Sequence, residues 1–288
     1  MSIHPRQQRL LDAVRGRGSA SVEELADRLA VSLQTVRRDL RALAERGLLE
    51  RFHGGAALPE STIRNIAYAQ RQLLNAEGKR RIAAEAARRI PGACSLILNL
   101  GTTVEAAAQA LGRHEGLRVV TNNPNVAAVL AHDGNAEVLL AGGTVRPLDH
   151  GVVGDTAVEF IRRFKVDIGL IGISSIEADG TLRDFDWREV RVAQAVIAAS
   201  REVWLLADRR KFDRRAMVEL GHLSQIDRLI TDAPPPEPFA ALLAEHGVDC
   251  VIASADAAVA GTAPAPAVPA APATRNDRPV PQPDPTRR

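Results

Sequence analysis

The chain has 288 residues, a length that favours two domains over one, and 45% of its residues are hydrophobic. Only 3% are aromatic, so the core must be built from Ala, Leu, Val and Ile. The net charge of +2 excludes a chain coated uniformly in basic residues, so any nucleic-acid surface must be local.

Cysteine usage and hydropathy exclude further classes. Cys94 and Cys250 lie in apolar stretches without CxxC spacing, which argues against a disulfide framework and a zinc site, and we expect both thiols to be buried. Residues 1–17 lack the apolar run of a signal peptide, and no window approaches roughly 18 uncharged apolar residues. We expect a cytoplasmic protein with no membrane span, no metal and no cofactor.

Three short helices are predicted at the start of the chain. Residues 5–15 carry apolar residues at helical spacing, and Ser21 begins a capping box that Glu24 completes. A tight turn then leads to Ser32, a good N-cap for a third helix that ends near Gly47.

The third helix has a face suited to DNA. Val36, Leu40 and Leu43 share one side, so the polar residues between them point away from the core towards base edges or phosphates. Residues 48–58 resemble a hairpin wing, and this order of elements is that of a winged helix-turn-helix. The predicted DNA-contacting residues are Ser32, Gln34, Thr35, Arg37, Arg38, Arg41, Arg51, His53 and Gly54. The alternative, an amphipathic helix with solvated charges, does not explain the capped helix, turn and wing around it. Asp39 is expected to pair with a neighbouring arginine.

From about residue 75, β-branched apolar runs alternate with helical patterns. The runs are residues 95–98, 117–120, 137–141, 166–173, 203–207 and 228–230. This alternation predicts an α/β domain with a mainly parallel sheet, on which ligands bind beyond the carboxyl ends of the strands. The predicted regions are a DNA-binding domain (1–57), a linker (58–74), an effector domain (75–254) and a disordered Ala/Pro-rich tail (255–288).

Small polar residues follow several of the predicted strands. Gly101, Thr102 and Thr103 open a helix, where backbone N–H groups and hydroxyls form an anion site; a simple capped turn is the alternative. The other predicted crevice residues that follow strands are Asn122, Asn123, Gly142, Gly143 and Ser174. Their convergence suits a small phosphorylated ligand.

Two charged segments are open to two interpretations each. Lys211 follows a strand and supplies either a charge for a phosphate or part of a solvated basic turn. Asp184 begins an acidic run, residues 184–189, that either binds hydroxyls or forms the first turn of a helix. For this run we favour the helix start.

Three motifs together resemble the DeoR family of bacterial transcriptional regulators. They are the run 32–40, the wing 51–56 and the segment 208–212, and the likeness extends to about residue 252. The runs 121–127, 184–186, 216–218 and 231–236 are most similar to members that act on glycerol catabolic genes. The resemblance implies a repressor, not an enzyme, that binds operator DNA as a homodimer or homotetramer and is released by glycerol 3-phosphate.

The effector domain of this family resembles ribose-5-phosphate isomerase. By that likeness residues 101–103 and Lys211 hold the phosphate. Ser174 and Ser175 replace the first acids of the isomerase loop, which implies that binding is kept and chemistry is lost. Asn99 stands where many members carry Asp. Whether this position contacts a hydroxyl group of the ligand is therefore open. The open alternatives are a repressor that answers another sugar phosphate, an active isomerase, and an interaction module with a vestigial crevice.

Overall fold

The computed structural model describes residues 4–17, 19–52, 54–57, 68–133, 135–212 and 214–254. His53, residues 58–67 of the predicted linker and the predicted tail lie outside this part of the chain, so the predicted domain boundaries and the disorder of the tail stay predictions. Across the described residues, no helix combines the length and the apolar character that crossing a membrane requires.

The N-terminal region packs three helices against a small antiparallel sheet. Its elements are α1 (Pro5–Arg17), β1 (Ser19–Ser21), α2 (Val22–Leu29), α3 (Leu33–Glu45), β2 (Glu50–Phe52) and β3 (Gly55–Ala57). Leu10, Leu25 and Leu40 are among the buried residues of its core. The strand order β1-β3-β2 confirms the predicted wing and adds β1, a strand that the sequence pattern did not predict.

Both predicted helix caps are confirmed. The Ser21 hydroxyl accepts the Glu24 N–H at 3.0 Å, and the Glu24 carboxylate accepts the Ser21 N–H at 3.0 Å. The Ser32 hydroxyl accepts the Thr35 N–H at 3.2 Å. Each such cap stabilises a helix by about 1 kcal/mol and sets the residue at which it begins. The turn between α2 and α3 is therefore encoded locally.

The rest of the described chain is an α/β region. Its helices are α4 (Tyr68–Leu73), α5 (Ala76–Arg89), α6 (Thr102–Ala110), α7 (Pro124–Asp133), α8 (Asp155–Ile161), α9 (Trp187–Ala199) and α10 (Phe239–Glu245). Its strands are β4 (Ser95–Leu98), β5 (Leu117–Thr121), β6 (Ala136–Leu140), β7 (Thr144–Val145), β8 (Val152–Val153), β9 (Val166–Ile171), β10 (Ser175–Ile176), β11 (Thr181–Asp184), β12 (Ser200–Leu206), β13 (Val218–His222), β14 (Arg228–Thr231) and β15 (Asp249–Ile252).

The predicted parallel sheet is confirmed. Seven strands form it in the order β15-β14-β12-β9-β4-β5-β6, and every neighbouring pair is parallel. Alternate residues of β4 face opposite layers, because Ile97 packs with α8 and α9 while Leu96 and Leu98 pack with α5, α6 and α7. Burial of each such side chain stabilises the fold by roughly 1.5–3 kcal/mol.

Among the details that differ from the sequence-based expectations, three concern the end of a strand, an edge strand and a cysteine. The run 166–173 ends as a strand at Ile171, and the next residues turn towards a second sheet, β10-β11-β13. Strand β15 was not predicted, because Asp249–Ile252 has no clear hydrophobic alternation. Cys94 is buried as expected, whereas Cys250 is exposed because it lies on this edge strand.

Candidate functional site

Helix α3 buries one face and exposes the other. Val36 and Leu43 are fully buried. Four polar side chains on the opposite side are exposed: Gln34, Arg37, Arg38 and Arg41. Among the described residues, none of the three arginines forms an ion pair with a carboxylate. Their guanidinium groups are therefore available for phosphates or guanine edges.

The other predicted DNA contacts surround this face. Ser32 Oγ lies 2.9 Å from Thr35 Oγ1, so the two hydroxyls are already bonded to each other. A hydroxyl has one donor and two acceptor positions, which leaves Thr35 capacity for a base. Arg51 is exposed on β2, and Gly54 has a φ of +89° at the tip of the hairpin, a conformation that favours glycine. Contact of these residues with DNA stays a prediction.

Asp39 pairs with an arginine, as expected, but the partner comes from another helix. Arg6 Nε on α1 lies 2.6 Å from Asp39 Oδ2, and Arg6 Nη2 also donates to this carboxylate at 3.2 Å. Burial acts to raise the pKa of Asp39, but the Arg6 hydrogen bonds outweigh it and hold that pKa below its usual value. Asp39 therefore joins α1 to α3 inside the domain.

The parallel sheet brings the predicted crevice residues to one edge. Strands β12, β9, β4, β5 and β6 are consecutive neighbours, so the residues after them share the carboxyl edge of the sheet. Those residues are Lys211 after β12, Ser174 after β9, Gly101, Thr102 and Thr103 after β4, Asn122 and Asn123 after β5, and Gly142 and Gly143 after β6. A Cβ on Gly101 would lie 3.7 Å from the Gly172 Cα, so β4 and β9 end close together.

The start of α6 is suited to an anion. Gly101 is its N-cap, with a φ of +133°, and as a glycine it has no side chain to cap the first turn. The N–H groups at the start of a helix lack partners within it and carry partial positive charge. Thr102 is half-buried and Thr103 is buried beside them.

Two lysines at this edge have lowered pKa values. Burial lowers the pKa of Lys211 to about 8; nearby Asp208 opposes the shift, and the guanidinium groups of Arg214 and Arg71 add to it. Burial also lowers the pKa of Lys79 to about 8, with Asp208 again in opposition. Both ammonium groups are thus held near carboxylates in poorly solvated positions.

Lys79 was missed by the sequence reasoning. It begins a series with Ile82, Ala83 and Ala86 at the spacing of one helical face, and all four are buried. A lysine on the apolar face of an amphipathic helix was the signal that could have identified it. Its ammonium donates to the backbone carbonyl of Arg71.

The two predicted asparagines are engaged with the protein itself. The Asn122 amide donates to the Val152 carbonyl at 3.0 Å, and the Asn123 amide donates to Glu105 at 3.0 Å. Both residues are fully buried. Asn99 Oδ1 is also buried and has no hydrogen-bond partner among the described residues.

The two predicted glycines after β6 differ. Gly143 has a φ of +149°, and a Cβ there would lie 2.7 Å from the Val153 carbonyl oxygen, so close packing against β8 requires glycine. A Cβ on Gly142 would meet no atom within 4 Å. Gly143 therefore has a structural role of its own.

The acidic run is divided between two elements. Asp186 is the N-cap of α9 and accepts the Arg188 N–H at 2.9 Å, which confirms the favoured interpretation as a helix start. Asp184 ends β11, is buried, and accepts hydrogen bonds from the Ser174 hydroxyl at 2.9 Å and the Phe185 N–H at 2.7 Å. Asp184 thus lies next to a predicted crevice residue.

A buried arginine that the sequence reasoning missed joins these acids. Arg146 donates to Glu189 at 2.6 Å and to Asp186 at 3.1 Å, and it also pairs with Asp149. Burial and the negative charges of Asp184 and Asp149 raise the pKa of Glu189 to about 7 against the opposing charge of Arg146. A carboxylate has about four acceptor positions, and the bond from Arg146 to Glu189 occupies one of them, so Glu189 can accept hydrogen bonds from hydroxyl groups. In the described part of the chain, no group of three His, Cys, Asp or Glu side chains could hold a metal ion.

Comparison with known proteins assigns both regions. Residues 6–62 match the DeoR-like helix-turn-helix domain, and residues 74–233 match the DeoR C terminal sensor domain. The glycerol-3-phosphate regulon repressor of Escherichia coli (strain K12) is 44% identical over 84% of this chain and 96% of its own length. The repressor of the same name from Haemophilus influenzae is 46% identical over 80% of this chain and 89% of its own length.

Among solved structures, ribose 5 phosphate isomerase A from Neisseria gonorrhoeae is 16% identical, with a TM-score of 0.35 over 48% of this chain and 53% of that chain. This likeness is too low to bear on activity. The two repressors, in contrast, are similar to this chain across both regions and are regulators of transcription, not enzymes. Because the two domain matches span most of the chain and these relatives align over nearly their whole length, the chain belongs to the DeoR family of DNA-binding transcriptional regulators.

Proposed function

We propose that this protein represses genes of glycerol 3-phosphate catabolism and that glycerol 3-phosphate releases it from operator DNA. The observation that carries the proposal is the presence of two separate sites in one chain, the exposed basic face of α3 and the carboxyl edge of the parallel sheet with its small polar residues and two lysines. The near full-length similarity to two glycerol-3-phosphate regulon repressors supports the choice of genes and effector.

In this proposal α3 enters the major groove of the operator. Gln34 and Thr35 lie in the first turn of the helix and read base edges, while the arginines of α3 neutralise phosphates or contact guanine. The wing residues Arg51, His53 and Gly54 follow the DNA backbone. We further propose a cytoplasmic homodimer or homotetramer, because two copies of α3 would read a repeated or palindromic site.

The crevice suits a small molecule that carries a phosphate and hydroxyl groups. The uncapped start of α6 at Gly101, with Lys211 beside the neighbouring strands, supplies positive charge for the phosphate. Asp184 and the carboxylates around Arg146 supply acceptors for hydroxyls. Glycerol 3-phosphate contains both kinds of group. Asn122 and Asn123 support this edge from within, and Gly142 leaves it open.

Binding must favour one form of the protein, because a ligand with equal affinity for the DNA-bound and free forms shifts nothing. A test uses the full-length protein and DNA fragments that it selects from the genomic DNA of its source organism. We expect fragments from upstream of glycerol catabolic genes, and at least about tenfold weaker fluorescence-anisotropy binding when glycerol 3-phosphate saturates the protein.

Glycerol, ribose 5-phosphate and other sugar phosphates are the matched controls. If only a different sugar phosphate releases the protein from the operator, the effector assignment is wrong and the assignment as a repressor stands. Turnover of ribose 5-phosphate would favour the isomerase alternative. Operator binding that no phosphorylated sugar changes would contradict the effector assignment.

A further inference from the structure

The short helix α4 is tied to the crevice side of the α/β region. The Tyr68 hydroxyl donates to Glu105 at 2.7 Å and accepts from the Asn125 amide at 2.9 Å. Glu105 also accepts from Asn123, which directly follows β5. Since Glu105 and Asn125 lie in the first turns of α6 and α7, α4 contacts both helices where they leave the carboxyl edge of the sheet.

Arg71 on the same helix uses only part of the hydrogen-bonding capacity of its guanidinium group. Its Nη2 lies 3.3 Å from Asp149 Oδ2, and the Asp149 carboxylate already pairs with Arg146. The Nε of Arg71 is buried and has no hydrogen-bond partner among the described residues. A guanidinium has five N–H donors, so Arg71 has buried donor capacity that is not satisfied in this conformation.

Arg71 also belongs to a group of cations that repel one another. Its carbonyl accepts from the Lys79 ammonium, and its charge contributes, after burial, to the lowered pKa values of Lys79 and Lys211. Asp208 is the nearby carboxylate that opposes the shift at both lysines. An anion between these groups would satisfy the guanidinium and relieve the repulsion.

We propose that Arg71 binds the phosphate group of the effector and that α4 couples occupancy of the crevice to the DNA-binding region. The inference rests on the proposed function, because it concerns the same crevice. It adds Arg71 to the residues that bind the effector. Arg71 does not follow a strand of the sheet but lies on α4, the helix that follows the connection between the two regions. Residues 58–67 join β3 to Tyr68 in the sequence, so α4 is the first described element after this connection and directly precedes the matched sensor domain, which begins at residue 74.

The coupling follows from the contacts that Arg71 would exchange. A phosphate competes with Asp149 for the guanidinium, and Asp149 keeps Arg146 when Arg71 leaves. Helix α4 carries both Tyr68 and Arg71 within six residues, so a shift of this helix towards the phosphate moves both side chains together. The ligand thereby favours one position of α4 over another, which is the differential binding that a shift in population requires.

The first test replaces the guanidinium in the full-length protein. We expect Arg71→Gln to bind glycerol 3-phosphate about 10- to 100-fold more weakly by calorimetry, and to need a correspondingly higher concentration of glycerol 3-phosphate for release from the operator. The matched control is Arg80→Gln, which changes an exposed arginine of α5 that pairs with Glu77 at 3.4 Å. We expect this control to match the wild type in both measurements.

A second variant separates coupling from binding. Tyr68→Phe removes the hydroxyl that joins α4 to Glu105 and Asn125 and keeps Arg71. We expect its affinity for glycerol 3-phosphate to stay within about threefold of wild type, while the factor by which the effector weakens operator binding falls at least about threefold. An unchanged factor would overturn the coupling role of α4.

The two hypotheses fail in different ways. If glycerol 3-phosphate releases wild type and Arg71→Gln at the same concentration, the proposed function stands and the role of Arg71 is wrong. If the wild type does not respond to glycerol 3-phosphate, the effector is wrong, and inorganic phosphate becomes the probe. Arg71→Gln must then bind phosphate at least about tenfold more weakly than Arg80→Gln. Equal binding, or none to the wild type, would overturn the inference.

Discussion

The exposed arginines of α3 predict how operator binding depends on salt. A phosphate contact releases a condensed counterion, so the slope of log K against log[salt] falls in magnitude by about 0.9 for each contact that is lost. Arg37, Arg38 and Arg41 are exposed and form no ion pair among the described residues. In a dimer each substitution removes two contacts. Replacement of an arginine that contacts phosphate by glutamine should therefore reduce the magnitude of the slope by about 1.8.

The assay is fluorescence anisotropy of an operator duplex between about 50 and 200 mM salt. Arg162→Gln is the matched control, since Arg162 is an exposed arginine at the end of α8 in the other region of the chain. Substitution of an arginine that contacts guanine should instead weaken binding mainly to the specific site, by about 1–3 kcal/mol. If all three variants keep both the wild-type slope and the wild-type specificity, α3 is not the helix that contacts DNA.

Three further predictions concern single residues. Gln34→Ala should weaken specific operator binding by about 1–3 kcal/mol and leave binding to random DNA and the salt slope unchanged; equal losses on both DNAs would contradict base recognition. Lys79→Met should increase the free energy of unfolding at pH 7 by about 1–3 kcal/mol in urea titrations, because the charged form of a lysine with a folded pKa of about 8 is destabilised by burial. In the wild type, burial of the charged Lys79 lowers the free energy of unfolding fully below pH 8, and this effect disappears as the pH rises towards the pKa of the unfolded state. The higher free energy of unfolding of Lys79→Met should therefore vanish above about pH 10. Gly143→Ala should destabilise the protein by about 1–3 kcal/mol, whereas Gly142→Ala should be tolerated; equal Tm values would show that the contact with Val153 is not restrictive.

The same lysines predict how binding of a phosphorylated effector depends on pH. Lys79 and Lys211 have pKa values of about 8 in the free protein, so both ammonium groups lose protons as the pH rises through that value. A phosphate dianion binds the protonated forms and raises their pKa values in turn. We therefore expect the affinity for a phosphorylated effector, measured by calorimetry, to be higher at neutral pH than in alkaline solution.

The DNA-binding region could be predicted almost completely because its signals are local. The hydroxyls of Ser21 and Ser32 cap helices within three residues, and the spacing of Val36, Leu40 and Leu43 sets the buried face of α3. The partner of Asp39 could not be predicted, because Arg6 is 33 residues away in sequence and only the packing of α1 brings it close. Side-chain pairing across helices depends on tertiary structure even in a small domain.

The crevice shows where local signals end. The residues after β4, β5, β6, β9 and β12 could be placed at one edge from the sequence, because parallel strands end at a common edge. The charged groups around that edge come from other elements: Arg71 meets Asp149 across 78 residues, and Arg146 meets Glu189 across 43. The sequence by itself determined most helices, most strands of the parallel sheet, two helix caps and the sheet edge at which we propose that a ligand binds, since these follow from periodicity and backbone geometry. Only the tertiary structure decided which cations and carboxylates surround that edge, because such contacts form between segments that are far apart in the chain and meet only when both faces of the sheet are covered.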